Sequence, residues 1–301
     1  SSKSVEQYYS DLRIFFRYVL LVRGKAQPGI PFNKIDISGA DIELVRSVTV
    51  SDLYGFMVYC KEELRNNTAT RARKTSTLRL FFKYMSVQTH RLENNPADLL
   101  EAPKIKQSLP KYLSLEDSLE LLNSVDGENE RRDYCILTIF LNCGLRLSEL
   151  CGLNLSDISS DGTMTVTGKG NKERMVYLND SCKTAIKRYL EVRPHEGLTA
   201  ESKNALFISR NHKRISPRTV EHIVTSYIKK AGLDGKGLST HKLRHTAATL
   251  MYQHGHVDIR VLKDILGHAN LGTTQIYTHV SDTQIKAAID ANPLSEVKSK
   301  K

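Results

Sequence analysis

The sequence has few cysteines, no long apolar run and no recognisable secretion signal. Its five cysteines are odd in number and contain no C-x-x-C spacing, which argues against a disulfide framework and against a zinc ribbon. The longest apolar-rich stretch, Tyr134 to Leu141, is far shorter than the ~20 residues that span a bilayer. The first residues lack the basic, apolar and small-residue order of a signal peptide. We therefore expect a soluble protein of the reducing cytoplasm with no membrane partner.

Positive charge is in excess over the whole chain. The 301 residues include 44 Lys and Arg against 33 Asp and Glu, which gives a formal net charge of +11 and a pI near 9.3. Cations that neutralise phosphates release condensed counterions, so this surplus favours a nucleic-acid partner over a solvated basic surface or an anionic membrane face. A hydrophobic content of 40% excludes a disordered or low-complexity chain.

A segment rich in proline and lysine, APKIKQSLPK at residues 102–111, divides the chain. We predict an N-terminal domain at residues 1–102, a linker at 103–111 and a second domain at 112–301. When the chain is cut after residue 108, the first part carries 17 basic and 11 acidic side chains and the second carries 27 and 22. Both parts are positively charged, which a protein that contacts a polyanion with two domains requires.

The first part has the pattern of an all-α domain. Apolar residues recur at helical spacing from Val5 to Leu20, and the segment ends at Gly24. Further helices are predicted from Ser51 to Leu64 and from about Thr68 to Met85. The last of these begins with cations that either form a solvated face or contact DNA. As candidate DNA contacts we take Arg71, Arg73 and Lys74.

The second part combines helices with a small antiparallel sheet. Residues 134–150 are apolar nearly all round and predict one buried helix. Between residues 161 and 178 the apolar period changes to two on both sides of Gly168-Lys169-Gly170-Asn171, which predicts two strands around a turn. The fold class is therefore mainly α, with an all-α first domain and a mixed α/β, mostly helical second domain. Other helices are predicted to begin near Ser114, Cys182, Ser216, Thr240, Asp258 and Thr283.

Histidines point to the region where a site is expected, because six of the ten lie between His241 and His279. His241 and His245 have the i, i+4 spacing of a zinc protease helix, but Lys242 stands where the catalytic glutamate is required. This lysine removes the general base and adds a cation beside the metal. We therefore predict no metal site.

A different set of residues suits transfer at a phosphodiester. Planar guanidinium groups bind two non-bridging oxygens at once, so Arg146 and Arg244 can replace a metal at a phosphoryl centre. A tyrosine phenol that attacks phosphorus retains the bond energy in a phosphotyrosyl linkage, and Tyr277 is the candidate. Taken alone, each residue also has a structural explanation, such as an arginine that pairs with Glu149.

Proton transfer and orientation require further residues. Lys169, on a glycine-flanked hairpin, can protonate the departing sugar oxygen. His241 precedes the second arginine by three residues, on the same helical face, and can accept a proton or bind the phosphate. His268 can donate to a phosphate oxygen from a helix end. Glu149 follows the first arginine by three residues, close enough to orient its guanidinium.

Four segments resemble the motif boxes of the tyrosine recombinase (phage integrase) family: GLRLSEL, TGKGNKERMVYL, STHKLRHTAATLMYQHG and LGHANLGTTQIYTHVS. The sequences of these segments are most like those of the bacterial Xer site-specific recombinases. The resemblance is close over residues 112–281 and loose elsewhere, and Ala247 and Met251-Tyr252 are minor departures from it. It implies six active-site residues, each inside its own box: Arg146, Lys169, His241, Arg244, His268 and Tyr277.

The resemblance also implies a fold, an activity and partners. It implies a core-binding (SAM-like) first domain and a catalytic second domain that close around DNA. The implied activity is site-specific cleavage and rejoining through a 3′-phosphotyrosyl intermediate and a Holliday junction, with no cofactor. Expected partners are a double-stranded DNA recombination site, a homo- or hetero-tetramer joined by the C-terminal helix, a second recombinase and a DNA-translocase activator. We predict further DNA contacts at Lys172, Arg174 and Arg218.

Alternatives remain open from the sequence. The main one is a non-catalytic DNA-binding accessory protein of the same fold, which the complete set of six residues disfavours. A type IB topoisomerase shares the chemistry, but the sequences of the motifs resemble those of recombinases. The biological role is either the resolution of chromosome dimers or the integration and excision of a mobile element. The helix near residues 281–291 docks either on its own domain or on a neighbouring subunit.

Overall fold

The computed structural model describes residues 2–104, 111–168, 170–255 and 257–267. The described residues form two compact units that divide between residues 108 and 109. Lys169, His268, Tyr277 and the C-terminal helix lie outside the described residues, so the expectations for them stay predictions. Helices dominate both units, and the sheet found in the described residues has two strands, which confirms the mainly α fold class. No helix among these residues is long and apolar enough to cross a membrane.

The first unit is built around three aromatic side chains from three helices. Phe15 packs edge-on against Phe56, with 5.2 Å between ring centroids, and against Phe82 at 6.1 Å. All three rings are fully buried. The three helices predicted from the apolar spacing are confirmed, and a π-helical turn at Tyr84–Gln88 extends the last one. The helices are α1 (Ser2–Val22), α2 (Ile42–Arg46), α3 (Val50–Glu62) and α4 (Thr68–Lys83).

The second unit has one buried helix at its centre. This helix, α6 (Glu130–Cys143), contributes the fully buried Ile136, Ile139 and Phe140 to the core. It packs against α5 (Leu115–Asn123), α8 (Asp180–Leu190) and α10 (Thr240–His254). The remaining helices of the described residues are α7 (Leu147–Gly152), α9 (Pro217–Lys230) and α11 (Ile259–Leu266). Polar side chains cap four of these helices and satisfy backbone N–H groups that lack a partner within the helix: Ser114, Asn179, Ser216 and Asp258.

The single helix predicted over residues 134–150 is wrong, because the chain breaks at Gly144. Gly144 ends α6 in the left-handed conformation, with φ +60°, and Arg146 is then extended as the N-cap of α7. A Cβ at residue 144 would lie 2.9 Å from Cδ2 of Leu266, so both backbone and packing require glycine. The apolar pattern continues across the break and therefore conceals it. The break places Arg146 at a helix start instead of inside a buried helix.

The predicted hairpin is confirmed. Strands β1 (Thr163–Thr167) and β2 (Glu173–Tyr177) pair antiparallel, with Thr163 opposite Tyr177 and Thr167 opposite Glu173. Gly170 and Asn171 have φ of +78° and +57° and turn the chain between the strands. A hydrogen bond closes this turn: the backbone N–H of Gly168 donates to the carbonyl of Lys172 at 2.8 Å.

All five cysteines are free thiols inside the two units. Each is at most 6% exposed. Burial raises the pKa of Cys60 and that of Cys151 to about 11. Cys60 belongs to the first unit and the other four belong to the second.

Candidate active site

The start of α7 holds the first predicted arginine on a buried carboxylate. Glu149 accepts the backbone N–H of Arg146 at 2.8 Å through Oε2, and Nη1 of the same arginine at 2.6 Å through Oε1. Nη2 of Arg146 donates to the carbonyl of Gly267 at 3.0 Å. The arginine side chain stays 36% exposed, whereas that of Glu149 is 1% exposed. The carboxylate and the carbonyl thus fix the guanidinium plane and leave part of it open.

Arg244 reaches the same carboxylate from α10. Its Nη1 donates to the carbonyl of Gly144 at 2.6 Å and lies 3.8 Å from Oε2 of Glu149. Its Nη2 donates to the carbonyl of Leu266 at 2.6 Å. These carbonyls lie at the ends of α6 and α11, where helix carbonyls lack intrahelical partners. The two arginines that the sequence proposes for phosphate binding are therefore brought to one carboxylate, each oriented by backbone oxygens.

A third arginine, Arg174 of β2, grips the carboxylate with both terminal nitrogens. Its Nη1 donates to Oε1 of Glu149 at 3.0 Å and its Nη2 donates to Oε2 at 2.9 Å. Its Nε donates to the carbonyl of Ile265 at 3.1 Å. Arg174 is a predicted DNA contact, but the structure places its side chain, 14% exposed, on Glu149. No periodicity signal indicated this contact, because it joins a strand to a distant helix.

Positive charge therefore exceeds negative charge at this cluster, where three guanidinium groups surround one carboxylate. Burial alone would raise the pKa of Glu149, but hydrogen bonds and charge from Arg174 and Arg146 outweigh burial and lower it to about 2. Glu149 is thus ionised throughout the physiological range. The remaining positive charge suits an anion with several oxygens, such as a phosphodiester.

His241 lies one helical turn before Arg244 and pairs with His245, which is not among the predicted site residues. Its Nε2 is 2.9 Å from Nε2 of His245, which is buried in α10. One of these nitrogens must donate and the other must accept, so the two rings cannot both be imidazolium ions. Desolvation, and then the charges of Arg244 and Lys242, lower the pKa of His241. The lowered pKa favours the neutral form of His241, which can accept a proton.

The hairpin turn reaches the arginine cluster. A Cβ built on Gly168 would lie 3.4 Å from Oε1 of Glu149 and 3.9 Å from Nη1 of Arg146. Lys169, the residue that follows, lies outside the described residues. Gly168 therefore fixes where the hairpin meets the cluster.

Candidate DNA contacts on α4 are divided between interior and surface. Lys74 is 3% exposed, and its Nζ lies 3.1 Å from Oδ1 of the buried Asp11. The prediction that Lys74 contacts DNA is therefore wrong, because this face of α4 packs on α1. Arg73 also contacts Asp11, but its side chain is 37% exposed, and Arg71 is half-buried.

The remaining two candidates, Lys172 in the turn after β1 and Arg218 in α9, are exposed. Within the described parts of the chain, no group of three or more His, Cys, Asp or Glu side chains is placed to hold a metal ion.

Comparison with known proteins places this arrangement in a family. Residues 111–284 match the model of the phage integrase family. "Tyrosine recombinase XerC" of Caldanaerobacter subterraneus subsp. tengcongensis is 50% identical over 296 residues, which are 98% of this chain and 83% of that protein. The chain therefore belongs to the phage integrase family of tyrosine recombinases. It is similar over nearly its whole length to Xer recombinases.

Solved structures agree with this assignment. The crystal structure of XerA recombinase is 26% identical, with a TM-score of 0.52 over 96% of this chain and 91% of that one. The post-cleavage complex of XerH site-specific recombinase bound to palindromic difH substrate has a TM-score of 0.68 at 24% identity, over 82% of this chain and 73% of that one, and supports the fold.

Proposed function

We propose that the chain cleaves and rejoins DNA at a specific site through Tyr277. The phenol oxygen attacks the phosphorus of the scissile phosphodiester, an O–P bond to tyrosine forms, and the bond to the 5′ oxygen of the next nucleotide breaks. The phosphate stays on the enzyme as a 3′-phosphotyrosine. A DNA hydroxyl then reverses the step and releases the tyrosine. Each step exchanges one phosphodiester for another, so no nucleotide is needed to supply energy. Arg146 and Arg244 supply the positive charge that a metal would provide.

The observation that supports this proposal most is the convergence of Arg146 and Arg244 on Glu149. Both guanidinium planes are fixed before substrate binds, by the carbonyls of Gly144, Leu266 and Gly267. Donors that are oriented in advance stabilise charge that develops on non-bridging oxygens in the transition state.

Proton transfer is assigned to the neighbouring residues. The tyrosine must lose a proton as it attacks, and neutral His241 is the acceptor. The departing 5′ oxygen must gain a proton, and Lys169 supplies it from the turn that Gly168 anchors. His268 donates to a non-bridging oxygen. A lysine in this position acts as a general acid because its ammonium carries the proton at neutral pH.

Assembly on DNA forms the second part of the proposal. The two basic parts of the chain bind a double-stranded recombination site, and four subunits, identical or of two kinds, join through the helix at residues 281–291. Strands are exchanged in two steps through a Holliday junction, and a DNA translocase or a second recombinase regulates the order. A tetramer that binds two DNA sites loses affinity steeply with added salt, because each neutralised phosphate releases counterions.

The test is the trapping of the covalent intermediate on a nicked DNA duplex that carries the recombination site. After cleavage the short fragment beyond the nick diffuses away, so rejoining is blocked. We expect a protein–DNA adduct that resists detergent and disappears on protease digestion. The same adduct should form in EDTA.

Two tyrosine variants give the controls for this test. Tyr277→Phe should form no adduct, whereas Tyr177→Phe should react like the wild type, because Tyr177 lies on β2 with 80% of its surface exposed. An adduct with Tyr277→Phe, or a requirement for Mg²⁺, would contradict the proposed chemistry.

A further inference from the structure

Arg174 joins three elements that build the cluster. It projects from β2, holds Glu149 near the start of α7 with two hydrogen bonds, and reaches the carbonyl of Ile265 near the end of α11. Gly267 closes over it. A Cβ at that residue would lie 3.0 Å from Cδ of Arg174, and its φ is +63°. The hairpin, the α7 start and the α11 end therefore share one side chain.

We propose that Arg174 is a positioning residue for DNA cleavage, which acts by fixing the carboxylate of Glu149 and the end of α11. This inference rests on the proposed function. Glu149 in turn orients Arg146, and the α11 end supplies the carbonyls that orient Arg146 and Arg244. Arg174 reaches the reacting phosphate only through these groups.

Its contacts separate this role from direct DNA binding. Nε, Nη1 and Nη2 of Arg174 each donate to an acceptor inside the protein, and the side chain is 14% exposed. Arg146 has 36% of its side chain exposed, more than twice that fraction. Every nitrogen of the Arg174 guanidinium donates to the protein, and two of them bind the same carboxylate in parallel. The guanidinium is well suited to hold another group in place.

The geometry also requires arginine instead of any cation. Two parallel hydrogen bonds to the two oxygens of Glu149 fix both the position and the rotation of the carboxylate. A lysine ammonium would keep the charge but supply one contact direction at a time. If the Glu149 carboxylate were free to rotate, Arg146 could move. A displacement of about 1 Å at a reacting group can cost on the order of 100-fold in rate.

The experiment compares Arg174→Gln and Arg174→Lys with the wild type in single-turnover cleavage of the nicked duplex, alongside DNA affinity at several salt concentrations. We expect the cleavage rate to fall on the order of 100-fold for glutamine and about tenfold for lysine. Affinity and its salt dependence should stay unchanged, because no phosphate contact is lost. Arg188→Gln is the matched control: that exposed arginine pairs with Glu130 at 3.6 Å and should leave both quantities unchanged.

A double-mutant cycle tests whether Arg174 acts through Glu149. If it does, Glu149→Gln should lower the cleavage rate by itself, and adding Arg174→Gln should lower it little further. Two independent contacts to DNA would instead give multiplicative losses. Folding of each variant is checked by thermal unfolding. If Arg174→Gln does not fold, Arg174→Lys and its cycle with Glu149→Gln decide the question.

The pH dependence of the cleavage rate separates a positioning role from a purely structural one, because a purely structural role would leave this dependence unchanged. In the described residues, the charged groups that face Glu149 are Arg146 and Arg244 besides Arg174. Without Arg174 the carboxyl remains buried but loses two hydrogen bonds and a neighbouring positive charge, so its pKa rises. Cleavage by Arg174→Gln should therefore decline as the pH is lowered from about 8 to about 5.5, more steeply than cleavage by the wild type, and Arg174→Lys should restore much of the wild-type profile.

Three results would overturn the proposal: reduced affinity with an unchanged saturated cleavage rate, multiplicative losses in the cycle, or identical pH profiles. If the wild type itself forms no adduct, the proposed function fails instead, and the two failures are distinguishable.

Discussion

Each unit of the chain contains a buried carboxylate surrounded by cations, and the two clusters differ in how the cations are held. In the first unit Asp11 is 2% exposed and contacts Arg73 and Lys74, neighbours on a single helix. In the second unit Glu149 contacts arginines from the α7 start, from β2 and from α10. Backbone carbonyls at the ends of α6 and α11 orient the latter arginines as well. For the two cations on α4, the described residues show no such carbonyl.

Burial of a charge therefore does not by itself indicate a functional site. The Asp11 cluster fastens α4 to α1 through side-chain contacts to one carboxylate. The Glu149 cluster fixes the planes of its guanidinium groups with acceptors from several elements. Well-packed apolar side chains of the same volume would contribute as much stability or more. The second arrangement has the features of a preorganised anion site.

The largest effect is expected for the exposed arginine of the Glu149 cluster. Arg146→Lys should lower the single-turnover cleavage rate on the order of 1,000-fold while DNA affinity changes little, because a point charge cannot make two directed contacts to a phosphate. The counterpart, Arg73→Lys on the first unit, should leave the saturated cleavage rate within a few-fold of the wild type. Equal losses for the two variants would erase the distinction between the clusters.

Removing the carboxylate of the first cluster should act on stability. Asp11→Asn leaves the ammonium of Lys74 buried without a counter-charge and should lower the free energy of unfolding by about 4 kcal/mol, measured by urea denaturation. Glu43→Gln, in the exposed pair with Arg46, should cost less than about 0.5 kcal/mol. The cleavage rate per folded Asp11→Asn molecule should stay normal. A specific loss of cleavage would give Asp11 a role in the chemistry.

Acid should act on the second cluster with a defined sign. The pKa of Glu149 is lowered to about 2, so its contribution to stability is complete above its unfolded pKa of about 4.3 and is lost as the pH falls through the folded value. Between about pH 5 and pH 2 the wild type should therefore lose ~3 kcal/mol more stability than Glu149→Gln. Parallel unfolding curves over this range would show that Glu149 is not held as an ion.

The smallest effect concerns the break before α7. Gly144→Ala forces a left-handed alanine and a clash with Leu266, and should cost about 1 to 2 kcal/mol of stability. It should also lower cleavage several-fold, because the Gly144 carbonyl orients Arg244. Gly24→Ala, at the end of α1, has a similar φ of +63° with no atom within 4 Å of the added Cβ, and should affect stability alone. Unchanged cleavage by Gly144→Ala would remove that carbonyl from the site.

The sequence predicts well those features that depend on local periodicity. The helices of both units and the hairpin follow from apolar spacing, glycine stops and capping side chains such as Ser114 and Ser216. The break at Gly144 was missed, because the apolar pattern continues on both sides and conceals the glycine stop that ends α6. A side chain at residue 144 would also meet Leu266, which lies far away in sequence and which periodicity cannot show.

The site was predicted by residue type and motif, and its geometry was not. Arg146, Glu149, His241 and Arg244 are brought together in the structure, whereas the carbonyls that orient them carry no sequence signal. Arg174 is predicted as a DNA contact, and only the tertiary structure places it on Glu149. Lys74 was expected on the surface because it is charged. Its position around the axis of α4 instead places it on the buried face beside Asp11.

The buried thiols offer a way to time the opening of each unit. A thiol that is covered in the native state reacts with an alkylating reagent only when the surrounding structure opens. Cys60 therefore reports on the first unit, and Cys135, Cys143, Cys151 and Cys182 report on the second, without any substitution. Mass spectrometry of the modified peptides, with and without DNA, would give a separate opening rate for each half of the protein.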